Sequence, residues 1–274
     1  MIDRELIKRA IAEDLAGGED VTSVATVTTG SQIVADFVAR KSGVIAGIEM
    51  AQGVLEEVGL SNIELFVHDG ESVSAGKVLI TVRGDTRAIL LAERTALNFL
   101  GHLSGIATLT RMWVDAIDGT SCKIRDTRKT TPGMRLLEKA AVVAGGGTNH
   151  RLSLSDASLI KDNHIAAAGS VTAAFTKVRE KFPRSEIEIE VDSLLQLEEI
   201  LPLKPNLVLL DNMSVEECKQ AVVIANGEVK LEASGGLSIE NAKAYAMTGV
   251  NYLAVGALTH SAPNFDIGLD FREV

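Results

Sequence analysis

Cysteine, proline and aromatic residues are all scarce in this sequence of 274 residues, and it has no long apolar run. The only two cysteines, Cys122 and Cys218, lack metal-ligand spacing and cannot build a disulfide framework, so we expect reduced thiols in a cytoplasmic protein. No segment approaches the ~18 apolar residues that a membrane-spanning helix requires. The opening residues, MIDRELIKRAIAEDL, form a charged amphipathic helical pattern rather than a secretory signal. The composition therefore argues against a secreted disulfide scaffold and against a membrane protein.

Positive charge is also in short supply, since the formal net charge is −10 and the pI is about 5.1. This balance argues against a general nucleic-acid surface, which needs an excess of lysine and arginine. Residues 125–164 are the exception, with seven Lys or Arg against four Asp or Glu. A basic segment within an acidic chain indicates a local site for a small, strongly anionic ligand, although scattered surface charge would give the same count.

The first part of the chain alternates between helical and extended patterns. A helix is predicted over 1–16, and a long helix over about 85–117. Between them lie β-branched, partly alternating runs that predict strands. These runs are 32–40, 43–47, 62–70 and 77–84, and a short helix lies between the second and the third.

From residue 123 onward, six strand patterns alternate with helical patterns at short spacing. The predicted strands lie in KIRDT (123–127), SLIKDN (158–163), EIEIEVD (186–192), LVLLDN (207–212), VKLEASGG (229–236) and YLAVGAL (252–258). Such alternation predicts parallel strands joined by right-handed helical crossovers. A barrel and an open, doubly wound sheet both fit this pattern.

Each of these predicted strands ends in, or is directly followed by, polar or glycine residues. In strand order they are Arg128 and Lys129, Lys161, Glu190, Asp211, Ser234 with Gly235 and Gly236, and Gly256. The carboxyl ends of all strands share one face in a parallel barrel, whereas in an open sheet only the strands beside the switch point converge. Polar residues at every strand end therefore favour a closed or nearly closed α/β barrel with fewer than eight strands.

The last two strand ends carry glycine turns, ASGGL (233–237) and VGALT (255–259). Late-strand turns of this kind bind phosphate through backbone N–H groups. Glu190 and Asp211 come from adjacent predicted strands and could hold Mg²⁺ through water or accept hydrogen bonds from ribose hydroxyls. A simple ion pair with Lys129 or Lys161 is the plainer alternative for these two acids.

The loop GGGTNHR (145–151) delivers His150 and Arg151, and its glycines allow close approach of the backbone to a ligand. Arginine binds carboxylate or phosphate as a two-pronged donor. Together these groups suit a phosphorylated sugar beside a second anion rich in carboxylates. Two alternatives stay open on these residues: a barrel lyase with Lys161 as a Schiff base, and a non-catalytic sensor of phosphorylated metabolites.

Several segments together resemble the quinolinate phosphoribosyltransferase family. In the second half these are DTRKTTPGMRLLEK, GGGTNHRLSLSDASLIKDNHI, EIEVD, LLDN and EASGG, and in the first half IAEDLAGGEDVTS and ERTALNFLGHLSGIAT. The resemblance covers nearly the whole chain in order. A related group associated with molybdate transport usually lacks the complete NHR…LIKDNH pattern.

The resemblance implies an α/β fold with an N-terminal α/β sandwich domain over 1–110 and a C-terminal, incomplete parallel α/β barrel over 111–261. The barrel would have six or seven strands, and a tail over 262–274 would return to the first domain. It also implies a homodimer in which Arg94 of one subunit completes the other subunit's site, with a higher oligomer left open.

The resemblance further implies a reaction that joins quinolinate to 5-phosphoribosyl 1-pyrophosphate. The products would be nicotinate mononucleotide, CO₂ and pyrophosphate, with Mg²⁺ as the cofactor and without any nucleic-acid or membrane partner. The matching positions are Arg94, Arg128, His150, Arg151 and Lys161 for the quinolinate carboxylates, Lys129 between the two substrates, Glu190 and Asp211 for ribose and Mg²⁺, and Ser234, Gly235, Gly236 and Gly256 for the 5-phosphate. Lys129, Lys161, Glu190 and Asp211 would be the catalytic residues among them.

Overall fold

The computed structural model describes residues 2–272 and separates into two compact units. Within the described residues, the first unit comprises 2–109, 137–146 and 261–272, and the second comprises 110–136 and 147–260. The stretch 137–146 therefore lies in the first unit, although the sequence placed it in a barrel domain over 111–261. Glu138 of this stretch contacts His102 at 2.8 Å, and both residues belong to the first unit.

The helices and strands are numbered in chain order. Up to the long helix they are α1 (Arg4–Leu15), α2 (Val21–Thr26), β1 (Gln32–Ala39), β2 (Gly43–Val44), α3 (Ile48–Glu57), β3 (Asn62–Leu65), β4 (Ser72–Val73), β5 (Val78–Asp85) and α4 (Thr86–Ala116). After it come β6 (Lys123–Arg125), α5 (Arg135–Ala144), β7 (Ser158–Ile160), α6 (Asp162–Ala168), α7 (Val171–Lys181), β8 (Ile187–Val191), α8 (Leu194–Ile200), β9 (Leu207–Asp211), α9 (Val215–Ala225), β10 (Lys230–Ser234), α10 (Ile239–Ala246), β11 (Tyr252–Ala254), α11 (Ala257–His260) and β12 (Ile267–Arg272). A 3₁₀ turn at Leu201–Leu203 follows α8.

The first unit is built on a four-stranded antiparallel sheet in the order β12-β1-β5-β3, and β2 pairs with β4 in a separate ladder. β1 is central, and its residues from Val34 onward are buried. β12 pairs with β1, where Arg272 bonds to the buried carboxylate of Asp36. The Thr81 hydroxyl also donates to Asp36 at 2.5 Å, so this buried charge is both paired and hydrogen-bonded.

The second unit contains six parallel strands in the order β6-β11-β10-β9-β8-β7. From β7 to β11 the strands neighbour one another in chain order, and β6 then pairs with β11. Thr148 forms a parallel bridge with Arg125 and so extends the sheet beyond β6. No pairing in residues 2–272 joins this bridge to β7, so the barrel is incomplete. The expected fold class, an α/β sandwich domain followed by an incomplete barrel of six or seven strands, is confirmed.

The two faces of the parallel sheet differ in polarity. Ile189, Leu210 and Leu231 lie on one face and are fully or almost fully buried, as are the apolar residues that α9 and α10 bury. Glu190 and Glu232 are both in register with Leu209, so their side chains share the opposite face. The main apolar core therefore lies on the helix side of the sheet, and the other face carries the charged residues Glu190 and Glu232 beside the buried Leu209.

The strands of the parallel sheet are all shorter in the structure than their sequence patterns indicated, and in two of them a helix occupies the end of the predicted strand. β7 ends at Ile160, and Asp162 begins α6 where the sequence predicted a strand over 158–163. β11 ends at Ala254, and α11 begins at Ala257 where a strand over 252–258 was expected. In both cases a short helix begins two or three residues after the last residue of the strand.

The longest helix, α4, has 31 residues and carries Glu93 and Arg94 within its apolar sequence. Over residues 2–272, no helix combines the length and the apolar character needed to cross a membrane.

Candidate active site

The carboxyl ends of the parallel strands bring four of the predicted residues to one edge of the second unit's sheet. Glu190 lies in β8, Asp211 ends β9, Ser234 ends β10, and Gly256 follows β11. β8 and β9 are neighbours, as expected, and Ser234 is in direct register with Asp211. Because all these strands run in the same direction, their polar ends form one continuous rim.

Arg128 and Arg151 bring two positive charges close together at this rim. The Nε atoms of both are buried and have no hydrogen-bond partner, while Arg151 Nη1 donates to the carbonyl of Ala157 at 3.0 Å. Burial lowers the pKa of Arg151, and the positive charge of Arg128 lowers it further. Two guanidinium groups that repel each other and leave buried Nε donors unmet are suited to receive an anion between them.

Arg135 links the two loops that carry this arginine pair. Its Nε donates to Thr130 Oγ1 at 3.0 Å, and its Nη1 donates to the carbonyl of Leu152 at 3.1 Å. Thr130 lies just beyond Arg128, and Leu152 directly follows Arg151. Arg135 therefore ties the 126–133 loop to the loop after the Thr148 bridge.

The loop after Arg151 is organised by one carboxylate. Asp156 accepts hydrogen bonds from the backbone N–H groups of Leu152 at 2.6 Å and of Ser153 at 2.9 Å. Partial burial raises the pKa of Asp156, but these hydrogen bonds outweigh it and bring the value to about 2. The ionised carboxylate thus closes the turn whose Ala157 carbonyl holds Arg151.

Lys129 is fixed against the last glycine turn. Its carbonyl accepts a hydrogen bond from the Thr259 hydroxyl at 2.8 Å, and its N–H donates to Thr127 Oγ1 at 3.1 Å. A Cβ placed on Gly256 would come within 2.9 Å of Lys129 Cδ. Glycine at 256 therefore leaves the room in which the lysine stem runs, and the exposed ammonium end of Lys129 stays at the rim.

Gly235 and Gly236 need to be glycine for backbone reasons. Their φ angles are +87° and +60°, in the left-handed region that other residues rarely adopt. A Cβ on Gly235 would also collide with the side chain of Asn212. The N–H of Asn212 donates to the Ser234 carbonyl at 2.8 Å, so the ends of β9 and β10 are locked together beside this turn.

The two predicted carboxylates lie at adjacent strand ends, each beside a nitrogen donor. Lys161 Nζ lies 3.3 Å from Glu190 Oε2, and Asn212 Nδ2 donates to Asp211 Oδ2 at 2.8 Å. The Lys161 side chain is half exposed, and an ion-paired, solvated ammonium is poorly suited to form a Schiff base, which requires a neutral amine.

Arg94 differs from the other predicted residues because it belongs to the first unit. It lies on α4 and is exposed. Its expected role in a partner subunit's site stays a prediction. Of the basic segment 125–164, Lys139 is also in the first unit, where only 1% of its surface is exposed.

His150 points to a buried cluster that the sequence reasoning missed. Its Nε2 lies 2.6 Å from Glu188 and 3.7 Å from Glu232, and only 7% of the residue is exposed. Arg125 Nη1 contacts Glu232 at 2.8 Å, and the guanidinium of Arg125 stacks on Tyr252 at 4.4 Å. Because Glu188 lies in β8 and His150 follows the bridge beyond β6, this contact joins opposite sides of the sheet across its polar face and shows that the sheet curls.

A sequence signal for the missed cluster was present in EIEIEVD. Glu188 and Glu190 are two residues apart in a strand and therefore face the same side. Strands of a parallel sheet covered on both faces are usually continuous apolar runs, so a second glutamate inside the strand was unusual. The sequence reasoning used only the glutamate nearer the strand end.

Two family models match successive parts of the chain. The model described as the quinolinate phosphoribosyl transferase N-terminal domain matches residues 20–104, and the C-terminal domain model matches residues 106–270. Nicotinate-nucleotide pyrophosphorylase [carboxylating] of Mycobacterium leprae is 53% identical, with 97% of this chain and 96% of that protein covered. A probable enzyme of the same name from Bacillus subtilis is 39% identical, with coverages of 97% and 92%.

Solved structures agree with these matches. The crystal structure of nicotinate-nucleotide pyrophosphorylase from Ehrlichia chaffeensis superposes with a TM-score of 0.94 at 40% identity, covering 98% of each chain. The corresponding structure from Francisella tularensis gives a TM-score of 0.94 at 38% identity, covering 98% of this chain and 95% of the other. Human nicotinic acid phosphoribosyltransferase, at 14% identity and a TM-score of 0.64, shares the fold alone.

Proposed function

This chain belongs to the quinolinate phosphoribosyltransferase family, and from that membership we propose the reaction it performs. It converts quinolinate and 5-phosphoribosyl 1-pyrophosphate to nicotinate mononucleotide, CO₂ and pyrophosphate, as an enzyme of NAD biosynthesis. It is thus a pentosyltransferase of the carboxylating nicotinate-nucleotide pyrophosphorylase type. A barrel lyase and a non-catalytic sensor, the two alternatives that the residues left open, do not fit this family.

The observation that best supports the choice of substrate is the arginine pair. Arg128 and Arg151 each have a buried Nε without a partner, and their charges repel each other. Quinolinate carries two carboxylates on a small flat ring, so it can neutralise both guanidinium groups at once. Lys161 adds a cation at the same rim, and His150 neighbours Arg151 in the chain. A ligand with a single carboxylate would leave part of this positive charge unmatched.

The transfer step requires orientation more than a protein nucleophile. The pyridine nitrogen of quinolinate attacks C1 of the ribose as pyrophosphate departs through an oxocarbenium-like state. The protein therefore has to hold the nitrogen in line with C1 and stabilise the charge that develops on the leaving group. Lys129, fixed by Thr259 and lying across Gly256, is placed beside the phosphate turn to serve the leaving pyrophosphate.

Decarboxylation follows from the product of that first step. Bonding of the ring nitrogen to ribose makes a pyridinium, which stabilises the electron pair left behind when the adjacent carboxylate departs as CO₂. A proton then adds to that ring carbon to give nicotinate mononucleotide. The arginine pair would orient both carboxylates for attack, and its contact with the carboxylate that is retained would hold the ring in place while the other departs as CO₂.

The 5-phosphate is assigned to Ser234, Gly235, Gly236 and Gly256. The positive φ angles of Gly235 and Gly236 turn the backbone at the end of β10, and Gly256 directly precedes α11. Backbone N–H groups at such turns bind phosphate without side-chain charge. The late position of both turns in the barrel agrees with the usual phosphate position in α/β barrels.

Mg²⁺ is assigned to the rim carboxylates of Glu190 and Asp211. Two carboxylates from neighbouring strands form a hard oxygen donor set, which fits Mg²⁺ held partly through water. When bound, the ion supplies positive charge to the pyrophosphate. Glu190 and Asp211 also lie where they can accept hydrogen bonds from the ribose hydroxyls, and the Lys161 contact keeps Glu190 oriented toward the rim.

The quaternary assignment is a homodimer in a cytoplasmic setting. Arg94 is exposed on α4 of the first unit, so it is available to reach the site of a partner subunit. The thiols of Cys122 and Cys218 are buried and unpaired, which suits a reducing compartment. Burial raises the pKa of Cys122 to about 12, so this thiol is unreactive at neutral pH.

The first test is a coupled assay with purified protein, 5-phosphoribosyl 1-pyrophosphate and Mg²⁺, with quinolinate and nicotinate as parallel substrates. We expect CO₂ and nicotinate mononucleotide from quinolinate and no turnover of nicotinate. Turnover of nicotinate alone would contradict the assignment of two carboxylates to the arginine pair. Removal of Mg²⁺ with a chelator should abolish turnover, and its restoration by added Mg²⁺ is the control.

The shared site has a separate test in mixed subunits. Arg94→Ala and Arg128→Ala should each be inactive alone, because each lacks one carboxylate ligand. After the two variants are mixed and allowed to exchange subunits, about a quarter of the sites would be intact if Arg94 acts across a two-fold interface. No recovery of activity in mixed dimers would place Arg94 in its own subunit's site or outside any site.

A further inference from the structure

The buried cluster around His150 has a defined hydrogen-bond geometry. The N–H of His150 donates to Asp126 Oδ1 at 2.7 Å, which fixes its main chain next to the end of β6. Its ring Nε2 lies 2.6 Å from Glu188 Oε2, on the opposite side of the curled sheet. Glu188 is therefore the side chain that fixes the position of Nε2 once the backbone of His150 is held.

The charges in the cluster are not balanced by arginine alone. Glu188 and Glu232 are both buried and Arg125 contacts Glu232, so two carboxylates face one guanidinium. Burial, followed by the charge of Glu188, raises the pKa of Glu232 to about 7. Glu188 Oε1 and Glu232 Oε1 have no hydrogen-bond partner. A proton between the His150 ring and these carboxylates would relieve the excess negative charge.

The short contact indicates which ring atom faces the carboxylate. Nε2 of His150 lies 2.6 Å from Glu188 Oε2, and because an ionised carboxylate can only accept, a hydrogen bond to it requires the ring proton on Nε2. Other charged or titratable groups near the cluster include Arg125 with Tyr252 stacked on it, Asp126 at the backbone of His150, Arg151, which the charge of Glu188 also reaches, and the thiol of Cys122, which the charge of Glu232 reaches.

We propose that Glu188 is a positioning residue for quinolinate binding: it holds the His150 ring proton on Nε2 and so fixes the ring orientation. This inference rests on the proposed function, because it assumes that His150 contacts the substrate carboxylates. Since Arg151 directly follows His150, the same anchor also limits how far Arg151 can move. A carboxylate that orients a histidine in this way acts without touching the substrate.

The first experiment reads the protonation of the ring directly in the ligand-free protein. With ¹⁵N-labelled histidine, the spectrum contains five histidines, and His150→Asn identifies the His150 signals by their loss. We expect Nε2 to carry a proton in the unaltered protein and the two tautomers to mix in Glu188→Gln. A His150 ring with its proton on Nδ1 alone would overturn the proposal, even before any variant is made.

The second experiment separates positioning from a general loss of structure. Glu188→Gln should raise the KM for quinolinate about tenfold, the cost of a lost charged hydrogen bond, while the KM for 5-phosphoribosyl 1-pyrophosphate changes little. Glu188→Asp, which retains the charge, should recover part of the affinity. Glu186→Gln, an exposed change just before β8, is the matched control and should leave both constants unchanged.

Equal increases in the KM values for both substrates would overturn the proposal in favour of a merely structural Glu188. An unchanged KM for quinolinate would overturn it as well. If the unaltered protein does not turn over quinolinate at all, the proposed function fails. The tautomer of His150 would then still show whether Glu188 sets the ring proton.

Discussion

At the scale of single residues, the groups proposed to bind an anion lower the local stability of the ligand-free protein. Arg128 and Arg151 repel each other and leave buried Nε donors unmet, whereas Asp36 in the first unit is fully supported by Arg272 and Thr81. An unmet buried donor is costly in the empty protein and favourable when a ligand supplies the acceptor. The difference between these two charged sites agrees with a structural role for Asp36 and with the proposed binding role of the arginine pair.

Arg128→Ala should therefore weaken quinolinate binding without lowering the stability of the ligand-free protein. Removal of one guanidinium leaves a substrate carboxylate unpaired and should cost about 2–5 kcal/mol of quinolinate binding. The melting temperature without ligand should stay the same or rise, because repulsion of Arg151 is relieved. Calorimetric titration with quinolinate and a thermal melt measure the two effects, with Arg184→Ala, an exposed arginine of the same unit, as the control. A lower melting temperature with unchanged affinity would assign Arg128 a structural role.

The backbone conformation of Gly235 allows a prediction for which Gly227 is the matched control. Gly235 and Gly227 both have positive φ angles, +87° and +76°, but a Cβ on Gly227 would have no atom within 4 Å, whereas one on Gly235 would collide with Asn212. Alanine at either position should cost about 1–2 kcal/mol of folding free energy from backbone strain. Only Gly235→Ala should also raise the KM for 5-phosphoribosyl 1-pyrophosphate, as steady-state kinetics would reveal. An equal effect of both variants on that KM would exclude Gly235 from the phosphate turn.

At the scale of elements, the site depends on loops that short hydrogen-bonded turns hold in place. Arg135 ties the 126–133 loop to Leu152, and Asp156 closes the next turn through Leu152 and Ser153. The strands supply direction and spacing, but these loop contacts set the positions of the arginine side chains. Changes several residues from the substrate are therefore expected to alter its binding.

Asp156→Asn should loosen this turn and raise the KM for quinolinate several-fold with a smaller effect on kcat. The reason is that Ala157, the residue after Asp156, holds Arg151 through its carbonyl. The pKa of Asp156 lies at about 2 instead of 3.8, so its contribution to stability is present above pH 3.8 and is lost as the pH falls through about 2. At neutral pH, amide hydrogen exchange of residues 152–157 should accelerate in the variant.

The matched control is Asp118→Asn, an exposed aspartate of the same unit. Unchanged exchange in the 152–157 turn of Asp156→Asn would show that the carboxylate does not hold it closed.

At the scale of the whole molecule, the second unit has its apolar core on one side of the sheet and a charged interior on the other. Glu188, Glu232, Arg125 and His150 meet inside the curled sheet. Buried charged networks of this kind add little net stability and are destabilising when incomplete. Their presence below the rim agrees with a supporting role for the site.

Glu232 makes the folding stability of the protein depend on pH. Its pKa is raised to about 7 from 4.5, mainly by burial. The stability that this raised pKa contributes is therefore fully present below pH 4.5, and it is lost as the pH rises through about 7. Glu232→Gln cannot ionise, so its melting temperature relative to the unaltered protein should increase over that range. Thermal melts at several pH values measure the difference, and the exposed Glu228→Gln should show no such trend. A constant difference at all pH values would contradict a titrating Glu232.

The sequence by itself determined the local features of this protein. The spacing of apolar residues indicated the alternating strands and helices, and the polar residues after each strand indicated the rim where Glu190, Asp211 and Ser234 now lie. Both depend on residues near one another in the chain, where periodicity of two or of 3.6 is directly visible. The long resembling segments then indicated the family, which the comparisons confirmed.

Only the tertiary structure decided which distant residues meet. Glu188 contacts His150 because the sheet curls, and Arg128 approaches Arg151 because two loops converge at one rim. It also placed residues 137–146 in the first unit and ended β7 at Ile160 to begin α6. Such contacts depend on curvature, register and packing summed over many residues, and no local pattern in the chain encodes them.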